Sequence, residues 1–88
     1  MKHADAGALD RLEPLLRALR ARAGLKEISR GVFYRSGRAF LHFHEHGPEL
    51  FADVRLVEDF ERLPATTQTE REALLCRVDA AMGDGQIR

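Results

Sequence analysis

The sequence has one cysteine, Cys76, no tryptophan and three prolines in 88 residues. A lone thiol excludes an internal disulfide framework and offers none of the paired spacings that hold structural zinc. No run of about 18 apolar residues occurs, which excludes a membrane-spanning helix. The opening residues, MKHADAGALD, lack the apolar stretch of a secretory leader. These absences lead to the expectation of a cytoplasmic protein with no membrane attachment. Net charge is missing too, because 14 basic residues offset 14 acidic ones. Without a general positive field, non-specific nucleic-acid binding is not expected to be the main activity.

What is present suits a globular chain: 44% hydrophobic and 32% charged residues. We expect one domain over 1–88, with 1–7 and 84–88 frayed. At this size burial, and so the stability margin, is modest. The charges are unevenly spread. Residues 17–38 hold seven basic groups and one acid, whereas residues 45–72 hold eight acids and three arginines. The simplest expectation is that the two stretches pack together and neutralise each other; the alternative is complementary association with an anionic partner or another copy.

Leu9, Leu12, Leu16, Leu19 and Ala23 recur at the 3, 4, 3, 4 spacing of one helical stripe. Asp10 with Glu13 has the form of a capping box and would start the helix near Asp10; alternatively the helix starts near Asp5 and kinks at Pro14. Residues 28–35, 38–46 and 50–57 alternate and are rich in Phe, Val, Tyr and Leu, which predicts three strands. Ser36-Gly37 and Gly47-Pro48 are the turns between them. Thr67 with Glu70 is a second capping box, followed by a stripe of Leu74, Leu75, Val78 and Met82. The predicted fold is α+β, a helix, a three-stranded antiparallel meander and a helix (αβββα) in two layers.

The turns also set expected registers. Arg35 opposite Arg38 pairs Tyr34 with Ala39 and Val32 with Leu41. His46 opposite Glu49 pairs Leu41 with Val54, Phe43 with Ala52 and His42 with Asp53. Ile28, Val32, Tyr34, Leu41, Phe43, Ala52, Val54 and Leu56 then share an apolar face, to be covered by both helices. Gly31 is the place where a bulge would change the first strand's parity. The second face would carry Phe33, Arg38, Phe40, His42, His44, Phe51, Asp53 and Arg55, with Val57. We take these as the candidate ligand or interface residues, because nothing remains in the chain to cover their phenylalanines. A homodimer through that face is the expected partner arrangement.

The segment FLHFHEHG places His42, His44 and His46 on one side of one strand. Alternate residues are about 6.8 Å apart, so one ion reaches two neighbouring histidines but not all three. Asp53, opposite His42, would be a third ligand or an orienting group. The main expectation is a His–Asp cross-strand pair on an interface, with His42, His44 and Asp53 as the metal-site alternative and no cofactor assigned. Catalysis has little support, since no nucleophile is identifiable by motif and Cys76 reads as a spare surface thiol. Residues 39–43 are similar to the end of the aromatic signature of RNA-recognition motifs, which implies base stacking on Phe33, Phe40 and Phe51. That fold uses four strands in βαββαβ order, so RNA binding stays a second alternative.

The strings FLHFHE (Phe40 to Glu45) and FADVRL (Phe51 to Leu56) resemble a group of small uncharacterised bacterial proteins, over a stretch from about Val32 to the second helix. The resemblance implies an intact αβββα unit and carries no catalytic or binding residues with it.

Overall fold

Asp5 opens the first helix by accepting the Ala8 N–H at 2.9 Å, so the earlier of the two expected starts is the one used. The computed structural model describes residues 1–83; the expected fraying of 84–88 lies outside them. Helix α1 (Ala6–Arg11) gives way at Leu12 to α2 (Glu13–Arg20). Pro14 sits in the first turn of α2, where a missing N–H removes no helical hydrogen bond. Asp10 and Glu13 do not form a capping box. Both carboxylates instead receive the Arg30 guanidinium at 2.8 Å.

The sheet has six strands rather than three. Strand β1 (Lys2–His3) is followed, after the two helices, by β2 (Leu25–Ser29), β3 (Val32–Arg35), β4 (Arg38–His46), β5 (Glu49–Arg55) and β6 (Phe60–Pro64). Strands β2 to β6 form a meander in sequence order, and β1 lies against the end of β4 that β3 does not reach. Helix α3 (Gln68–Gly83) is the last element among the described residues. Its start is the expected capping box, with Glu70 N–H donating to Thr67 Oγ1 at 3.1 Å and Thr67 N–H to Glu70 Oε1 at 3.0 Å.

The single strand expected over 28–35 is two strands. Arg30 and Gly31 turn the chain between them, and Gly31 has φ +80°. Residues 1–7 are placed rather than frayed: Lys2 and His3 pair with Glu45 and His44. Strand β6 occupies a segment whose charges and Pro64 hide its alternation. Pro is tolerated there because β6 is an edge strand.

The β4–β5 register is the expected one, with Leu41 opposite Val54, His42 opposite Asp53 and Phe43 opposite Ala52. The β3–β4 register departs from expectation beyond Tyr34. Tyr34 faces Ala39, but Phe33, not Val32, faces Leu41, which leaves Phe40 as an extra residue on β4. Such a bulge places two consecutive residues against one and reverses parity beyond it. Phe33 (0% exposed) and Phe40 (3%) therefore belong to the core, not to the open face. A second shift between Glu27 and Ser29 leaves Ile28 50% exposed, against its expected place in the core. The rest of the expected core holds in part: Leu9, Leu56, Leu75 and Met82 are partly buried against it, Val32 and Tyr34 are half-buried, and Ala23 is exposed. Leu12, Leu16 and Leu19 and α3 residues Leu74 and Val78 cluster with Leu41, Phe43, Ala52 and Val54.

Candidate functional site

Because side chains alternate across a strand, burying Leu41, Phe43, Ala52 and Val54 sends His42, His44, Phe51, Asp53 and Arg55 to the face opposite the helices. Strand β6 extends that face with Arg62 opposite Asp53 and Phe60 opposite Arg55. Strand β1 adds His3 opposite His44. Three neighbouring strands thus deliver His42, His44, Asp53 and Arg62 to one point, with His3 at its border.

Asp53 is the centre. Its carboxylate accepts two hydrogen bonds from Arg62, Nε to Oδ1 at 2.7 Å and Nη2 to Oδ2 at 2.9 Å. Its Oδ2 also lies 3.1 Å from His44 Nε2 and 3.5 Å from His42 Nε2. The carboxylate is 8% exposed as a residue and would be costly there without a cation. The Arg62 guanidinium is the main reason that its pKa is held below the usual range, and the two histidines add to the effect.

The histidines are packed rather than solvated. His3 stacks on His44 with ring centroids 4.6 Å apart, and His42 meets Phe60 edge-on at 5.1 Å. Burial lowers the pKa of both His42 and His44, and Asp53 opposes this only in part. The shift favours the uncharged ring, and an uncharged ring offers a lone pair. Neither buried ring nitrogen of His44 has a well-aligned hydrogen-bond partner: the nearby groups are the Lys2 backbone and Asp53 Oδ2, and the approach to Oδ2 is not aligned as a hydrogen bond. Buried polar atoms are rarely left so.

His42, His44 and Asp53 each offer one ligand atom, all within 4.8 Å of one another. With bonds of about 2.0–2.1 Å, the ligand atoms of a tetrahedral zinc ion are about 3.3–3.4 Å apart. The two His–Asp separations bracket that spacing. Arg62 occupies one side of the carboxylate and fixes its orientation, as hydrogen bonds to ligating carboxylates do.

Of the expected site residues, His42, His44 and Asp53 come together and Phe51 flanks them opposite His44. Arg55 lies further along β5, its guanidinium 4.4 Å from the Phe60 ring centroid. Arg38 is exposed at the β3–β4 turn, and Phe33 and Phe40 are in the core, so the three-phenylalanine stacking surface is not formed. His46 is exposed at the end of β4 and outside the cluster. Arg62, Phe60 and His3 were not expected. The charges and Pro64 that mask β6 leave no clear signal for the first two, and a two-residue strand gives none for His3. Among the described residues no helix is long and apolar enough to cross a membrane. In comparisons with known proteins, no family model, no curated protein and no solved structure matches the chain.

Proposed function

We propose that the protein is a small binding domain that takes one divalent transition-metal ion of the zinc class on its open sheet face, through His42, His44 and Asp53. The observation that carries this reading is the His44 imidazole, whose two buried nitrogens have no aligned hydrogen-bond partner and whose Nε2 lies 3.1 Å from the Asp53 carboxylate. Two imidazoles and a carboxylate suit zinc or nickel better than calcium or magnesium, which prefer oxygen. Three protein ligands leave a fourth position to water or a solute.

The test is a zinc titration of chelator-treated protein, read by melting temperature and by stoichiometry. Binding to the native state alone stabilises it by about 2.7 kcal/mol at a hundredfold excess over Kd. The expected result is one equivalent bound and a raised melting temperature, both lost in His42→Ala and in Asp53→Asn. An unchanged melting temperature, or a rise that survives both substitutions, would overturn the proposal.

Association of two copies through the same face is the second reading. It rests on Phe60, 39% exposed, and on half-buried Phe51, since Phe33 and Phe40 are withdrawn into the core. Sedimentation with and without zinc separates the readings. A dimer in chelator favours the face itself as the interface, and a monomer in both conditions leaves the metal site alone.

A further inference from the structure

Strand β1 is two residues long and both are exposed, so no buried side chain of Lys2 or His3 holds it to β4. Backbone contacts do. Lys2 and His3 pair with Glu45 and His44, the Ala4 N–H donates to Phe43 O at 3.1 Å, and the Asp5 N–H donates to Glu45 Oε2 at 2.7 Å. Since Ala4 donates to Phe43, the neighbouring pair of His3 and His44 is of the non-hydrogen-bonded kind, whose side chains stand closer together. The His3 ring accordingly lies on the open sheet face, with its centre 4.6 Å from that of His44 and 5.9 Å from that of His42.

From this placement we infer that His3 is the fourth ligand of the ion proposed above, so that metal binding fastens β1 to the sheet. The inference rests on the metal reading of His42, His44 and Asp53. Its support is metric. With metal–nitrogen bonds of about 2.0–2.1 Å and about 1.2 Å more to each ring centre, two imidazoles on one tetrahedral ion have centres about 5.2 Å apart. The three observed separations, 4.6, 5.0 and 5.9 Å, bracket that value. Stacked rings do not aim two lone pairs at one point, and His3 is stacked on His44 at 30°. Ligation therefore requires the His3 ring to turn about its own side-chain bonds. Its exposure leaves it free to do so, because exposed side chains change rotamer readily.

Strand β1 serves the site in a second way, by bringing the Lys2 backbone near a ring nitrogen of His44. Ligating histidines are commonly oriented through their other nitrogen by such a backbone group. With His3 in place of water or a solute, the ion has four protein ligands, the closed arrangement of a structural site. Three of them come from the β4–β5 hairpin and one from the first strand, so the ion cross-links segments about 40 residues apart.

The test measures zinc affinity and amide exchange at Ala4 in the full chain after chelator treatment, in wild type, His3→Ala and His3→Phe, with exposed His46→Ala as control. Phenylalanine keeps a ring to stack on His44 but has no ligand nitrogen, which separates ligation from packing. The expected result is that zinc slows Ala4 exchange about tenfold or more in wild type and His46→Ala, and not in either His3 variant. Zinc affinity should fall at least about tenfold in both His3 variants. X-ray absorption of the zinc-loaded protein should count three imidazoles in wild type and two in His3→Phe. Two imidazoles in wild type, or wild-type affinity and Ala4 protection in His3→Phe, would overturn this inference and leave the three-ligand site standing. A wild-type protein that binds no zinc would overturn both.

Discussion

Arg62 is not one of the proposed ligands, yet both of its hydrogen bonds to Asp53 determine where that carboxylate points. Arg62→Gln should weaken zinc binding about 10- to 100-fold, as loss of an orienting partner does, with the circular dichroism spectrum unchanged. Wild-type zinc affinity in that variant would show that Asp53 needs no orienting. In the core, Leu41→Ala should cost about 2–5 kcal/mol and Phe40→Ala about 3–5 kcal/mol, against no more than about 0.5 kcal/mol for exposed Lys26→Ala. The Phe40 value is the more telling. A residue on an open face would tolerate the change, so a midpoint near that of Lys26→Ala would put Phe40 back outside the core. The sequence pattern could not place Phe40, because alternation assumes that no residue is extra. A bulge at an ordinary Ala-Phe-Leu run has no signature of its own, unlike one seeded by glycine. His42, His44 and Asp53 were legible because the tight Gly47-Pro48 turn leaves one pairing for β4 and β5.

At the scale of elements, two glycines separate backbone cost from packing cost. Gly31 has φ +80° and Gly37 φ +79°, so a side chain at either is strained by about 1–2 kcal/mol. A Cβ at Gly37 meets nothing within 4 Å, whereas one at Gly31 comes within 2.7 Å of Leu9 Cδ2. Gly31→Ala should therefore destabilise the protein more than Gly37→Ala does. Equal denaturation midpoints would mean that Leu9 moves aside without cost. The same glycine explains why 28–35 is two strands: Arg30 and Gly31 form a tight reversal held by the Gly31 N–H donating to Glu27 at 2.8 Å. The helices were legible in stripe and cap, since Thr67 and Glu70 declare the start of α3 outright. Strand β1 was not, because two residues cannot show a period and its existence depends on distant partners, Glu45 and His44.

For the whole molecule, Glu13 ties helix to sheet. It accepts hydrogen bonds from Arg30 at the β2–β3 turn and from Arg20, and these hold its pKa down to about 2 from an ordinary 4.5. A carboxylate depressed on folding adds stability above its unfolded pKa. That contribution is lost as pH falls through the window from about 4.5 to about 2. Glu13→Gln should flatten the acid limb of the stability curve in that window and leave the histidine range unaltered. An unchanged acid limb would show that solvent screening removes the exposed pair's effect. The uneven charge of the sequence was legible, but its resolution was not. Neutralisation comes from Asp10, Glu13, Glu27 and Asp79, which pattern alone could not match to their arginines.

The meander order of β2 to β6 also bears on how quickly and in what order the chain folds. Each of these strands pairs with its neighbour in sequence, so four hairpins close without waiting for distant segments. The longer-range links pair Lys2 with Glu45, His3 with His44 and, 57 residues apart, Arg22 with Asp79, and they carry the larger closure entropy. The β4–β5 hairpin by itself assembles His42, His44 and Asp53. Substitutions at Val54 or Phe43 should accordingly slow refolding, whereas Val78→Ala in α3 should mainly speed unfolding. Zinc, three of whose ligands that hairpin supplies, should shift the refolding arm of the chevron as well as the unfolding arm. Stopped-flow measurements with and without the ion would show both arms move; an effect confined to unfolding would place assembly of the site after the barrier.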